Sequence, residues 1–119
     1  MEADEFAERL AHIRRRFAAA LPRKIDDSFV ALIDLSKMDD STIDTVVVTH
    51  SRLHEMCGIA PSIGFSATGK AARLAEAVLQ DAAKLKRSLT AEEVTALTTE
   101  LNGLRVASQS DLQPGTGQG

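Results

Sequence analysis

The stretch RLHEMCGIAPSIGFSATGKAARLAE, residues 52–76, joins two predicted helices through a short break around Pro61. A proline disfavours helical backbone at the residue before it, so the first helix is predicted to end near Ile59. The second helix is predicted to begin at residues 65–66. A helix, a tight break and a second helix are therefore the unit from which the rest of the fold is predicted.

Upstream of this unit, apolar residues recur at three- and four-residue steps, which is the pattern of one buried helical face. The first stripe comprises Phe6, Leu10, Ile13 and Phe17. It predicts a helix over residues 3–20. Pro22 follows, and a second stripe reaches about residue 36, which predicts either two helices or one bent helix. Ser41 then caps the helix that leads into the quoted stretch.

The helix after the break has an apolar stripe that is predicted to face the core. Its members are Ala67, Ala71, Leu74, Val78 and Leu85. Gly69 lies inside the same helix, where glycine weakens the helix but permits close packing. Further on, Thr90 and Glu93 have the spacing of a capping box, and leucines at helical intervals follow them. A last helix is therefore predicted from Thr90 to about Ser108.

The composition favours helices over strands. Apolar residues are 44% of the chain and aromatic residues 3%, and alanine and leucine dominate the apolar set. Amphipathic helices joined by short breaks predict an all-α fold, namely an antiparallel up-and-down four-helix bundle with an additional N-terminal helix. We expect the bundle to span residues 1–108. Residues 109–119 are rich in glycine and glutamine and are predicted to form a flexible tail.

Charge and cysteine content exclude several classes of function. The formal net charge of −3 argues against a nucleic-acid partner, and the run Arg14–Arg16 is interpreted as a solvated helix face. Cys57 is the single cysteine, which excludes an internal disulfide and any zinc pattern built from paired cysteines. No apolar stretch is long enough to span a membrane, and the acidic N-terminus lacks the order of a secretory signal. We therefore expect a cytoplasmic protein.

His50 and His54 are four residues apart and lie on one face of the predicted helix. Three interpretations are open for them: metal binding, a structural position at the edge of the core, and phosphoryl transfer. Metal binding is disfavoured because a zinc protease helix would need a histidine where the chain has Gly58. Since other ligands would have to be carboxylates, we expect neither a metal site nor a bound cofactor.

Phosphoryl transfer requires a neutral imidazole nitrogen on a rigid, exposed helix. The second ring nitrogen must be held or solvated, so that the attacking nitrogen keeps its lone pair directed outward. A protein donor also needs space beside the ring, and Gly58, one turn after His54, leaves that space free of a side chain. His50 lacks this arrangement, because His54 follows it by four residues instead of a glycine. His54 is therefore the predicted phosphoacceptor.

Residues 52–65 resemble the signature of histidine-containing phosphotransfer domains, in which an apolar residue and two glycines follow the histidine at fixed intervals. The matching residues are His54, Met56, Gly58 and Gly64. The next helix is also similar to that of the family, with a Gly-Phe opening, paired alanines and a glutamate, Glu76, near its end. The resemblance covers about residues 40–80.

The resemblance implies a phosphocarrier in a two-component phosphorelay and not an enzyme, since the chain has no nucleotide-binding motif of its own. The implied partners are receiver domains of response regulators and a hybrid histidine kinase. The receiver would supply the acidic pocket and the magnesium ion. Gly58, Cys57 and Gly64 would shape the surface on which a receiver docks, and a monomer is expected.

The chain departs from the family pattern at two positions. Cys57 stands where a lysine is usual, and Pro61 stands where a small residue is usual. In the family, that lysine lends positive charge to the phosphoryl site. In an antiparallel pair of helices, Lys70 and Arg73 return to about the level of His54, so they are predicted to substitute for the lysine.

Two alternative functions stay open. The missing lysine is compatible with a helical protein-interaction module that has lost phosphoryl transfer. Histidine kinase dimerisation domains also present a histidine on a helix, but as a two-helix hairpin that pairs with a second copy. Partner binding without phosphohistidine would favour the first alternative, and a monomeric mass would argue against the second.

Overall fold

The computed structural model describes residues 2–113, and these residues form helices joined by short turns. The four α-helices are α1 (Glu2–Leu35), α2 (Ile43–Ile59), α3 (Ser66–Leu85) and α4 (Ala91–Leu112). Two 3₁₀ helices, Asp40–Thr42 and Ala60–Ile63, precede and follow α2. The described residues contain no strand, so the predicted all-α class is confirmed. None of the described helices combines the length and the apolarity needed to cross a bilayer.

The N-terminal part of the chain is one continuous helix. Pro22 lies inside α1, and the core residues Leu21 and Ile25 are buried on either side of it. Burial of these side chains offsets the hydrogen bond that a proline removes from a helix interior. The segment predicted as an additional N-terminal helix is therefore the first part of α1.

Large apolar side chains near the start of α1 are exposed to solvent. Phe6 and Ile13 are exposed, Leu10 is half-buried and Phe17 is buried, so the predicted buried stripe is wrong for Phe6 and Ile13. The reason is length: α1 has 34 residues whereas α2 has 17. At about 1.5 Å per residue, α1 extends well beyond the helix beside it.

The helices that follow one another in the chain also pack together. α2 contacts α3, α3 contacts α4, and α1 contacts both α4 and α2. Aliphatic side chains from all four helices form the core between them. The fully buried ones include Leu21, Leu35, Val46, Leu53, Leu79, Leu97, Leu101 and Leu104. Burial of each leucine contributes about 1.5–3 kcal/mol relative to exposure, so this core is the main source of stability.

The buried face of α3 differs from the predicted stripe. Leu74 and Leu85 are 55% and 65% exposed, so their prediction as core residues is wrong. The buried residues of this helix are Thr68, Gly69, Ala72, Ala75, Leu79 and Ala82. Small side chains let neighbouring helices approach closely, and a stripe chosen for large apolar residues misses such a face. This orientation of α3 also brings Glu76 against α2.

Gly69 marks a close approach between α3 and the 3₁₀ helix Ala60–Ile63. A Cβ at this position would lie 2.6 and 2.8 Å from Cγ and Cδ of Pro61. We therefore expect Gly69→Ala to lower the unfolding free energy by about 1–3 kcal/mol through overpacking, despite the better helix propensity of alanine. Urea unfolding measures this change. The matched control is Gly103→Ala, whose Cβ would meet nothing within 4 Å, and stabilisation by both variants would contradict the close contact.

α4 continues past the predicted domain boundary at residue 108 and ends at Leu112. Asp111 accounts for the extension, because its Oδ2 accepts hydrogen bonds from the backbone N–H and the hydroxyl of Thr68, both at 2.8 Å. Thr68 lies in the first turn of α3, where a carboxylate is stabilised by the helix dipole. The predicted flexible tail is thus helical at its start, and residues 114–119 lie outside the described residues.

Arg14–Arg16 are exposed, in agreement with their interpretation as a solvated helix face, and Arg14 also binds the turn between α2 and α3. Its Nε donates a hydrogen bond to the carbonyl oxygen of Ile63 at 2.9 Å. Phe17, one turn further along α1, packs edge-on against Phe65 with ring centroids 5.6 Å apart. These two contacts hold α1 against the beginning of α3.

Candidate functional site

His54 lies on the exposed face of α2 with one of its two ring nitrogens held. Its side chain is 72% exposed to solvent. Its Nδ1 lies 2.6 Å from Oε2 of Glu76, which projects from α3. The site is therefore built across two packed helices, and its candidate nucleophile stands on a rigid element.

Glu76 is the polar centre of the site. Its side chain is 14% exposed, and its carboxylate lies 2.6 Å from His54 Nδ1, 3.3 Å from Cys57 Sγ and 3.5 Å from His50 Nε2. Burial acts to raise the pKa of this carboxyl. The hydrogen bonds from His54 and Cys57 and the charges of both histidines outweigh burial, so the pKa of Glu76 is lowered. Glu76 is therefore an ionised acceptor at neutral pH.

The ionised carboxylate determines which nitrogen of His54 carries the hydrogen. Because Glu76 can only accept, Nδ1 is the donor in the 2.6 Å contact. In the neutral ring, the lone pair then belongs to Nε2. The nitrogen that is free to meet a partner is therefore the nucleophilic one, and an anion behind the ring stabilises positive charge that develops on it.

Cys57 is buried on the inner side of the site. Its Sγ lies 3.3 Å from both the carbonyl oxygen of His54 and Oε1 of Glu76. Burial, followed by the hydrogen bond and the charge of Glu76, raises the pKa of the thiol. Cys57 is therefore a protonated donor to Glu76, and it carries no positive charge of the kind that a lysine lends in the phosphotransfer domains that residues 52–65 resemble.

His50 shares a helix face with His54 but differs in exposure. The two rings are nearly parallel, with 12° between their planes and centroids 6.4 Å apart. The His50 side chain is 26% exposed, and its Nε2 is buried without a hydrogen-bond partner in the part of the chain that the structure describes. A bulky phosphoryl donor can therefore reach the His54 ring more easily than the His50 ring.

Gly58 and Gly64 have different surroundings. Gly58 is exposed on α2, and a Cβ added there would meet nothing within 4 Å. Packing thus gives no reason for a glycine at this helical position, and the surface one turn from His54 is open. Gly64 ends the 3₁₀ helix Ala60–Ile63 with a φ of 89°, a conformation that glycine adopts without strain. Gly64 therefore shapes the turn that leads into α3.

Lys70 and Arg73 are both exposed on α3. Arg73 is near enough to Cys57 for its charge to oppose the rise in the pKa of the thiol. Glu76 is the α3 residue that contacts His54. Along the axis of α3, Arg73 lies about 4.5 Å and Lys70 about 9 Å from Glu76, toward the start of the helix. Of the two predicted substitutes for the lysine, Arg73 is the nearer to the site.

Glu76 is the site residue to which sequence reasoning assigned no role. The same antiparallel register, advanced by one turn from Arg73, places Glu76 opposite His54. Ala72 and Ala75 beside it on α3 are fully buried, so Glu76 lies at the edge of the core-facing side of the helix. The sequence did place Glu76 on the same side of the helix as Arg73, three residues later. It was not assigned to the site because a cation, and not an anion, was expected beside His54.

Comparisons with known proteins found no matching family model, no similar curated protein and no similar solved structure. The resemblance of residues 52–65 to the phosphotransfer signature therefore stands on those residues themselves. What His54 can do chemically follows from the geometry around its ring, in which Glu76 holds one nitrogen and leaves the other free.

Proposed function

We propose that this protein is a histidine phosphocarrier in a two-component phosphorelay, with His54 as the phosphoacceptor. The observation that carries the proposal is a ring that is 72% exposed while its Nδ1 is held 2.6 Å from an ionised carboxylate. Such a ring presents a nucleophilic nitrogen to a partner in a fixed orientation. A surface histidine without a function needs neither the fixed ring nor the half-buried anion behind it.

In the proposed reaction, Nε2 of His54 attacks the phosphorus of an aspartyl phosphate on a receiver domain. The N–P bond forms, the P–O bond to the aspartyl group breaks, and the aspartate leaves as a carboxylate. Nδ1 keeps its proton, so the phosphorylated ring gains a positive charge that the carboxylate of Glu76 stabilises. Reversal of these steps on a second receiver returns His54 to its neutral form.

The proposed partners are receiver domains of response regulators and a hybrid histidine kinase. The receiver supplies the acidic pocket and the magnesium ion, and this chain supplies the nucleophile. We accordingly propose a cytoplasmic monomer that acts as a carrier and not as an enzyme. The open surface at Gly58 lies where a receiver must approach His54, which supports docking on this face of α2.

For the helices we propose the antiparallel up-and-down arrangement. His54 of α2 contacts Glu76 of α3. Pro61 follows His54 in the chain, yet it lies against Gly69, which precedes Glu76 in α3. Later residues of the first segment thus contact earlier residues of α3, which is the order of contacts between antiparallel helices. The turn of residues 86–90 between α3 and α4 is about as short as the connection of residues 60–65 between α2 and α3. α1 packs on both α4 and α2, which supports a closed bundle.

The two alternative functions fit the structure less well. A kinase dimerisation domain is a hairpin that buries its apolar face against a second copy, whereas here four helices bury a leucine core within one chain. An interaction module without phosphoryl chemistry has no use for a carboxylate that orients the His54 ring. These features favour the phosphocarrier over both alternatives.

Incubation of the protein with Mg²⁺ and receiver domains that carry label from acetyl phosphate tests the proposal. We expect the label to move to this protein, to be lost in acid and retained in base, and to map by mass spectrometry to the peptide that contains His54. Label on another residue, or binding of receivers without any transfer, would contradict the proposal.

Filling the open surface at Gly58 is expected to slow phosphoryl uptake without harming the fold. Gly58→Gln and Gly103→Gln each replace an exposed helical glycine whose Cβ would meet nothing within 4 Å. Both variants should raise the unfolding free energy by about 0.5–1 kcal/mol, because glycine weakens a helix interior. Only Gly58→Gln should raise the receiver concentration for half-maximal transfer, by about tenfold or 1.4 kcal/mol. Equal transfer by the two variants would place receiver docking elsewhere.

Arg73 is expected to supply part of the positive charge that lysine lends in the family. Arg73→Ala should slow uptake about tenfold, and Lys70→Ala should slow it less because Lys70 is one turn further from Glu76. Initial rates of label transfer measure both effects. Arg52→Ala is the control, since Arg52 lines a pocket with Lys24 on the side of α2 that faces α1. Unchanged rates for both α3 variants would remove these residues from the site.

A further inference from the structure

We propose that His54, Cys57 and Glu76, together with His50, form a zinc site, and that a bound ion blocks the phosphoacceptor. The first part concerns metal binding alone, and the second part rests on the proposed phosphocarrier function. The sequence predicted no metal site, because Gly58 stands where a zinc protease helix has its second histidine and the other ligands would have to be carboxylates. The tertiary structure adds the carboxylate of α3 to the side chains of α2.

Three of the four proposed ligand atoms are already close together. A ring nitrogen of His54, Sγ of Cys57 and a carboxylate oxygen of Glu76 all lie within 4.8 Å of one another. Zinc bonds of about 2.0–2.3 Å place the atoms of a tetrahedral site about 3.3–3.8 Å apart. Shifts of roughly 1 Å in these side chains therefore admit an ion in place of the hydrogen bonds that now join them.

An independent observation at His50 points to the fourth ligand. Its Nε2 is buried and has no hydrogen-bond partner within residues 2–113, although it lies 3.5 Å from Oε2 of Glu76. An unsatisfied buried polar group is destabilising, and an ion beside Glu76 gives this nitrogen a partner. His50 and His54 also have the four-residue helical spacing at which two histidines share one zinc ion.

The donor set selects the kind of metal. Imidazole nitrogen, thiolate sulfur and a carboxylate suit zinc, whereas magnesium and calcium require oxygen ligands. Coordination forms a Zn–S bond to Cys57 and breaks the S–H bond, so one proton passes to the buffer. The two positive charges of the ion are then balanced by the thiolate and by the carboxylate of Glu76.

A bound ion removes the nucleophile. Zinc takes the lone pair at Nδ1 of His54, and the hydrogen that Nδ1 donates to Glu76 in the metal-free site passes through solvent to Nε2. Nε2 then has an N–H bond and no lone pair with which to attack phosphorus. Zinc therefore inhibits phosphoryl uptake by reversing the tautomer of the same ring that accepts the group.

Titration of the metal-free full chain with Co²⁺, a spectroscopic substitute for zinc, tests the site without phosphoryl chemistry. We expect one ion per chain, the intense visible bands of tetrahedral cobalt, a near-ultraviolet thiolate band, and displacement by Zn²⁺. Cys57→Ala should lose the thiolate band, and Glu76→Gln and His50→Gln should each bind at least tenfold more weakly. The control His12→Gln changes an exposed histidine of α1 and should bind like the wild type. Octahedral cobalt alone, or equal binding by all variants, would overturn the site.

Transfer assays separate the inhibition from the phosphocarrier function. Uptake from a phosphorylated receiver in excess Mg²⁺ is measured after treatment with a zinc-selective chelator, and again after loading with one equivalent of Zn²⁺ and removal of free ion. We expect the loaded protein to take up label at least tenfold more slowly. Cobalt binding with equal uptake in both states would overturn the inhibition. Cobalt binding with no uptake in either state would overturn the phosphocarrier function and leave the metal site standing.

Discussion

His54→Gln is expected to abolish phosphoryl uptake from a phosphorylated receiver, whereas His12→Gln leaves the rate unchanged. Glutamine is polar and can still form a hydrogen bond with Glu76, but its amide nitrogen has no lone pair available for attack. His12 is exposed on α1 and belongs to no part of the site. The two substitutions therefore differ only in whether the proposed nucleophile is lost.

His50→Gln distinguishes the two histidines of α2. Because Nε2 of His50 is buried, we expect the label to remain on His54 in this variant. Uptake is measured as acid-labile label at several receiver concentrations, with circular dichroism to establish that each variant is folded. Full labelling of His54→Gln would refute the assignment of the phosphoacceptor, and loss of label from His12→Gln would show that the assay reports general damage.

Glu76→Ala is expected to lower the rate of phosphoryl uptake by about 100-fold. Without the carboxylate, the His54 ring rotates freely and its neutral form divides between two tautomers, of which one has its lone pair on Nε2. The anion that stabilises the developing positive charge is also lost. Glu76→Gln keeps an oxygen acceptor for Nδ1 and loses only the charge, so we expect a smaller decrease of about tenfold.

Single-turnover transfer rates at saturating receiver measure the Glu76 series, and Glu8→Gln, an exposed acidic position on α1, is the control. Stability gives a second readout. Because the pKa of Glu76 is lowered from its ordinary value of 4.5, its contribution to folding is complete above that pH and is lost as pH falls through the folded-state pKa. The difference in unfolding free energy between wild type and Glu76→Gln should therefore shrink in acid. Wild-type transfer by Glu76→Ala would contradict the role of the carboxylate.

The amino-acid sequence was sufficient to predict the helices and most of their ends, because these depend on neighbours along the chain. α2 ends at Ile59, two residues before Pro61, which lacks the N–H needed to continue the helical hydrogen bonds. Thr90 and Glu93 form the predicted capping box at the start of α4. Hydrogen bonds and steric limits within one helical turn control such features, so they can be read without knowledge of the fold. The placement of His54 and Gly58 one turn apart follows from the same local geometry.

Only the tertiary structure determined what lies opposite His54. The rotation of α3 depends on how its alanines and Gly69 fit against the surrounding helices, and that fit buries Thr68 and Ala75 while it exposes Leu74. The same rotation directs Glu76 to the imidazole. Pairings between helices depend on packing among residues distant in the chain, so periodicity along a single helix cannot predict them. For this reason the sequence by itself predicted His54 as the candidate nucleophile, and the fold supplied the carboxylate that holds its ring.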